Sequence, residues 1–130
     1  MKKKRLKIIK HDATKKSLIN KIPNDFDVIL DDGSHKPNDI QQTFELLFNN
    51  NLKEGGIYII EDVHCGMYIE PFLNYIYSLF PFVYKFNNFS ECKMLSGRKD
   101  IKKRIKKDWR YKIKDITISR DIIVITKENI

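Results

Sequence analysis

The sequence predicts an α/β fold built on a largely parallel sheet, and three observations carry that expectation. Apolar, β-rich runs alternate with amphipathic helical segments along the chain. Two of those runs, "FDVIL" (26–30) and "GIYII" (56–60), are apolar without the alternation of a half-exposed strand, as in strands covered on both faces. The chain closes on "ITISRDIIVITK" (116–127), two β-rich runs around Ser119-Arg120-Asp121 that read as an antiparallel hairpin.

Each element has a local reason. Leu6–Ile9 is a short candidate strand. "TKKSLINKI" (14–22) is a short helix with Thr14 as N-cap and Leu18, Ile19 and Ile22 on one face. Pro23-Asn24-Asp25 is a turn before the first long strand. "KPNDIQQTFELLFNNNL" (36–52) starts at Pro37, carries Ile40, Phe44, Leu47 and Phe48 at helical spacing, and ends in an asparagine run. "KEGG" (53–56) reads as a turn. "EPFLNYIYSLF" (70–80) has Pro71 in its first turn, an apolar face of Phe72, Tyr75, Ile76 and Leu79, and Pro81 just past its end. Residues 87–97 read as loop, and Asp100–Arg110 as a basic helix.

At 130 residues the chain is one domain at most, with a basic arm at 1–5 and a basic segment at 97–112. The basic excess behind its net charge of +8 is concentrated at the start, residues 1–10, and at Gly97–Lys114, while the middle, from Asp25 to Glu91, is acidic to neutral. A solvated basic surface accounts for that distribution. The sharper alternative is a nucleic-acid-binding module using Lys2–Arg5 and Arg98–Arg110, with Trp109 and Tyr111 as stacking rings. It is not favoured, because a tryptophan at such a position more often anchors a core. Cys65 and Cys92 form neither a disulfide framework nor a zinc spacing, so the reducing cytoplasm is the expected setting. Lys7 and Lys10 interrupt any leader-like run, and no stretch is long enough to span a membrane.

The chemistry concentrates where two strands end. "VILDDGSH" (28–35) stops on Asp31 and Asp32, followed by Gly33 and His35. "GGIYIIEDVH" (55–64) stops on Glu61 and Asp62, followed by His64. In open α/β sheets ligands sit outside the carboxyl ends of strands, so neighbouring strands would bring these groups to one rim. Adjacent carboxylates repel and call for a cation; Mg²⁺ is the usual partner of carboxylate oxygens. Asp32, Glu61 and Asp62 are the metal candidates, with His35 as general base. The competing reading makes Asp31 or Asp32 a helix cap or Asx turn. One acidic pair is commonly explained that way, and a second pair on the next strand favours the metal. Gly33 is expected to permit an unusual backbone angle or a close ligand approach. His64 either faces the site or lies on the following loop, and Cys65 is read as an inert thiol.

"FDVILDDGSH", the helix with "TFELLF", "LKEGGIYIIEDVH" and the closing hairpin together resemble the class I S-adenosylmethionine-dependent O-methyltransferases of the macrocin and mycinamicin sugar O-methyltransferase group, which includes cephalosporin hydroxylase-like proteins. The match runs through most of residues 6–80 and 113–127; Asp100–Arg110 has no counterpart. The resemblance implies a Rossmann-like three-layer sandwich with strand order 3-2-1-4-5-7-6. It implies Mg²⁺ on Asp32, Glu61 and Asp62, and His35 deprotonating the hydroxyl of a small molecule or sugar. It puts S-adenosylmethionine beside Asp12, Asp31 and Gly33. The family's glycine-rich loop after the first strand and the acidic residue after the second are missing. The chain therefore reads as a C-terminal half lacking the first two strands. Such a half pairs its first strand directly with the second, exposes an edge, or is completed by a missing N-terminal half or by a homo-oligomer. The lysine-rich start would then guard an exposed edge. The alternative function is a non-catalytic, degenerate metal- or nucleotide-binding domain.

Overall fold

Phe26–Asp31 (β1) and Leu52–Ile60 (β2) lie side by side as parallel strands in the computed structural model, which describes residues 5–63, 69–84 and 98–130. Parallel neighbours need a crossover, and the helix α1, Pro37–Asn50, supplies it, opening with Pro37 where a missing N–H costs nothing. Ile113–Ile118 (β3) and Ile123–Lys127 (β4) form the closing hairpin, held at its turn by the Ser119 amide donating to the Ile122 carbonyl at 2.9 Å. Strand β4 pairs antiparallel with β2, so the sheet order is β1-β2-β4-β3. That is the 4-5-7-6 portion of the expected order. Two further helices, α2 (Ile69–Tyr84) and α3 (Arg98–Lys107), and two 3-10 turns, Lys16–Asn20 and Trp109–Lys112, complete the described elements.

The core lies on one face of this sheet. Ile40, Phe44, Leu47 and Phe48 of α1 and Phe72, Ile76 and Leu79 of α2 are buried against Tyr58, Ile60, Ile123 and Ile125. The opposite face is different. Val28 and Leu30 sit level with Ile57 and Ile59, which in turn sit level with Thr126 and Val124. Val28 and Leu30 are 51% and 54% exposed. The unalternated strand sequence therefore does not reflect burial on both faces among the described residues. One face is covered by helices, and the other presents aliphatic side chains to solvent.

Several expected elements are corrected. Leu6–Ile9 is in no strand, and Leu6 is 77% and Ile8 85% exposed. The helix expected over 14–22 is only the 3-10 turn Lys16–Asn20, and Thr14 is engaged by Asp12 rather than capping it. "KEGG" is not a turn but part of β2, which starts at Leu52 and carries an irregularity opposite Phe26–Val28. Gly55 there has φ +74, and a Cβ on Gly56 would meet Leu52 Cδ1 at 2.6 Å and the Lys53 carbonyl at 2.8 Å. Helix α2 runs through Pro81 to Tyr84 instead of stopping before it. The loop expected over 87–97, with Cys92, and His64 and Cys65 lie outside the described residues.

Two buried polar side chains fasten α1 to its surroundings. Asn51, fully buried just past the helix, donates through Nδ2 to the Ile19 and Pro23 carbonyls at 3.2 and 2.8 Å. Lys127 is 7% exposed and donates through Nζ to the Phe48 and Leu52 carbonyls at 2.7 and 2.6 Å. Burial, with Lys112 nearby, pushes the Lys127 ammonium down to about 8. The unfolded chain therefore holds this proton more tightly than the folded one, so the stability Lys127 confers is lost as pH falls from the unfolded value of 10.5 through about 8. In urea unfolding, the native protein should gain stability relative to Lys127→Met as pH is raised across that window. A constant difference between the two would contradict this reading.

Candidate metal centre

The rim is built by the ends of β1 and β2. The Glu61 amide donates to the Asp31 carbonyl at 3.0 Å and so carries the parallel ladder one residue past β2. Both chains then leave the sheet through left-handed backbone at residues other than glycine, His35 with φ 60 and Asp62 with φ 55. Such conformations cost about 1–3 kcal/mol each and persist where the surroundings impose them. At these two positions the His35 and Asp62 side chains meet. His35 Nε2 stands 3.9 Å from Asp32 Oδ1 and 3.9 Å from Asp62 Oδ2. The ligating atoms of Asp32, His35 and Asp62 all lie within 4.8 Å of one another.

This spacing fits a hard divalent ion. Ligand atoms held at about 2.0–2.6 Å from a common centre are at most roughly 4–5 Å apart. The three side chains are partly open to solvent, leaving room for water or substrate oxygens. Glu61 is half-buried and is not in this cluster. The geometry thus brings together two of the three expected carboxylates and puts His35 in their midst.

Asp31 is engaged elsewhere. Its Oδ1 accepts from the Gly33 amide at 3.1 Å, and its Oδ2 accepts from the Tyr58 hydroxyl at 3.0 Å. Burial raises the Asp31 carboxyl above its ordinary value, and these two bonds partly oppose the rise. Tyr58 is pushed up in turn, by burial first and then by Asp31. The Asx-turn reading therefore applies to Asp31, while Asp32 is free to face His35. Gly33 has no left-handed angle, and the close approach at this position is that of its neighbour rather than a ligand: a Cβ there would lie 3.0 Å from Asp31 Oδ1.

Beside Asp31 lies a cavity of about 240 Å³ lined in part by Asp12, Asp31, Gly33, Asp39 and Thr43. All three residues expected at the cofactor, Asp12, Asp31 and Gly33, border this one space. The Asp12 carboxylate accepts from both the hydroxyl and the amide of Thr14, which hold it below the usual range. Sequence reasoning missed Tyr58 and Asp39, which accepts from the Ser34 hydroxyl at 2.6 Å. Tyr58 is legible in hindsight, since the strand register puts it on the face that Asp31 occupies. The backbone angles of His35 and Asp62 leave no trace in the sequence.

The basic segment uses its rings internally. Trp109 packs against Phe44 and Phe48 with centroids 6.1 Å away in each case. Tyr111 meets Phe82 edge-on at 5.0 Å and lies under Arg104. Among the described residues no helix is long and apolar enough to cross a membrane.

No family model and no curated protein matches the chain. Solved structures do. Three crystal structures of MycE, a methyltransferase from the mycinamycin biosynthetic pathway, align over 93% of this chain with TM-scores of 0.65–0.66 at 19% identity. This chain has a methyltransferase-like fold. Two of these MycE structures are complexes with Mg and SAH, and one holds Mg, SAH and mycinamycin VI. The match covers 31–32% of the MycE chain, so the present chain spans about a third of the length of the structures it matches.

Proposed function

We propose that this chain is the metal- and acceptor-binding portion of a Mg²⁺-dependent, S-adenosylmethionine-dependent O-methyltransferase acting on a hydroxyl of a small molecule or sugar. The observation that carries the reading is the convergence of Asp32, His35 and Asp62 at the carboxyl ends of parallel strands in a methyltransferase-like fold. Asp32 and Asp62 would hold Mg²⁺, with Glu61 on the same turn as a further carboxylate. Bound there, the ion would act as a Lewis acid that makes an acceptor hydroxyl easier to deprotonate. His35 takes that proton at Nε2. That nitrogen stands 3.9 Å from both the Asp32 and the Asp62 carboxylates, beside where the ion would sit.

The methyl donor is a different matter. The cavity at Asp12, Asp31 and Gly33 measures about 240 Å³, below the roughly 300–1,000 Å³ of ordinary cofactor sites. It is smaller than an ordinary cofactor site, so no transfer step is assigned to this chain alone. The reading is tested by adding S-adenosylhomocysteine to ¹⁵N-labelled protein. Amide shifts confined to Asp12–Thr14 and Asp31–Ser34 are expected, with weak affinity. No shift, or shifts elsewhere only, would remove the methyltransferase reading and leave a metal site without its donor.

A further inference from the structure

A second cavity, of about 400 Å³, lies at the other end of the sheet from the rim. That volume is within the roughly 300–1,000 Å³ of ordinary small-molecule sites. Four lysines line it. Helix α3 contributes Lys102 and Lys106, four residues apart and so on one face, the 3-10 turn after it contributes Lys112, and β4 contributes Lys127. Strand β2 runs into the rim past Ile60, which is level with Ile123. Lys127 lies four residues further along β4, away from the rim, or about 13 Å at the usual rise of a strand.

The charges around this cavity are not balanced. Glu54 and Glu128 also border it, so four lysines stand against two carboxylates and the lining side chains sum to a formal +2. Among the described residues, no ion pair joins any of the four lysines to a carboxylate. Lys112 helps to push the Lys127 ammonium down, and Glu54 opposes this less strongly, so two of the cations already repel one another. Nor is Lys127 a surface lysine. It is 7% exposed, and two of its three N–H bonds go to the Phe48 and Leu52 carbonyls. The third has no hydrogen-bonding partner among the described residues. Fastening α1 accounts for those two bonds. It does not account for Lys102, Lys106 and Lys112 gathering around the same space.

We infer that this cavity is a binding site for a phosphate-bearing small molecule, a phosphomonoester with a compact apolar group. Such a group carries about −1.5 to −2 charge at pH 7, which matches the +2 of the lining side chains. Lysine ammonium groups serve phosphate oxygens as compact point charges. The half-buried Ile105 and Ile130 supply an apolar wall for the rest of the ligand. The inference concerns the lysine cavity and not the rim, and it stands whether or not the rim supports methyl transfer.

The test is titration of the ¹⁵N-labelled chain with phenyl phosphate and with inorganic phosphate, at neutral pH and constant ionic strength. Phenyl phosphate should saturate at one equivalent and shift the amides of Ile105, Lys106, Lys112 and Lys127. It should bind at least threefold more tightly than inorganic phosphate. Lys112→Gln should weaken it at least tenfold without lowering the melting temperature, because it removes a repulsion on Lys127. Lys103→Gln, on the same helix but outside the cavity, should weaken it less than twofold. Shifts that do not saturate and are spread over exposed lysines, or equal losses in the two variants, would overturn the inference. So would a single-stranded RNA that binds more tightly than phenyl phosphate and loses as much affinity in Lys103→Gln as in Lys112→Gln, since that pattern belongs to a polyanion on the open face of α3. Asp32→Ala should leave phenyl phosphate binding unchanged, so failure of the metal reading and failure of this one are separable.

Discussion

Phe44→Ala is expected to cost about 3–5 kcal/mol of stability, the range for truncating a fully buried phenylalanine. Phe44 is wholly inaccessible to solvent and stands where every layer of the core meets. Its ring lies 5.0 Å from Phe48, 5.1 Å from Tyr58, 6.1 Å from Trp109 and 6.5 Å from Tyr75. Those partners come from α1, β2, the 3-10 turn after α3, and α2. Removing the ring opens a cavity that the four surrounding rings cannot fill without shifting, and it forfeits the edge-on contacts with Tyr58, Tyr75 and Trp109. Small domains have about 5–15 kcal/mol in total, so the variant should be largely unfolded at moderate urea concentrations. Urea titration followed by circular dichroism checks this. Phe44→Leu, which keeps most of the volume, should cost much less. A loss below about 1 kcal/mol for Phe44→Ala would show that the core is not organised around this ring.

Asp32→Ala has the second large effect, and its sign depends on the metal. Without Mg²⁺ the substitution relieves repulsion between Asp32 and Asp62, whose oxygens share a small volume around His35. Both carboxylates are about half exposed, so the free chain should change little, toward greater stability if at all. With Mg²⁺ at about a hundred times its dissociation constant, the native chain should gain about 2.7 kcal/mol, or several degrees in melting temperature. The Asp32→Ala chain should gain none. Thermal melts with and without Mg²⁺ separate these outcomes. Equal Mg²⁺ stabilisation of both chains would place the ion elsewhere.

The parts of this molecule that were legible in the sequence are those set by local chemistry. The Pro37 start of α1, the aromatic faces of α1 and α2, and the Ser119–Asp121 turn follow from periodicity and turn residues, and the structure has them. The rim was legible because the two acidic pairs fall at the ends of apolar runs, and parallel pairing makes those ends neighbours. What the sequence did not disclose depends on the rest of the sheet. Leu6–Ile9 has the composition of a strand, but a strand exists only with a partner. Val28 and Leu30 are apolar enough for a doubly covered strand, yet exposure is a property of what packs on them. That Asp62 and not Glu61 joins Asp32 and His35 depends on how the backbone leaves β2, with Asp62 at φ 55, which the acidic pair in the sequence does not specify.

The central claim is that Asp32 and Asp62, with His35 between them as the base, form a divalent-cation site, and Mn²⁺ bound to the native chain tests it most directly by electron paramagnetic resonance. One equivalent of Mn²⁺ should bind, Mg²⁺ should displace it, and both Asp32→Asn and Asp62→Asn should abolish it while the chain stays folded. Failure of the native chain to bind Mn²⁺, or full binding in both variants, would contradict the claim.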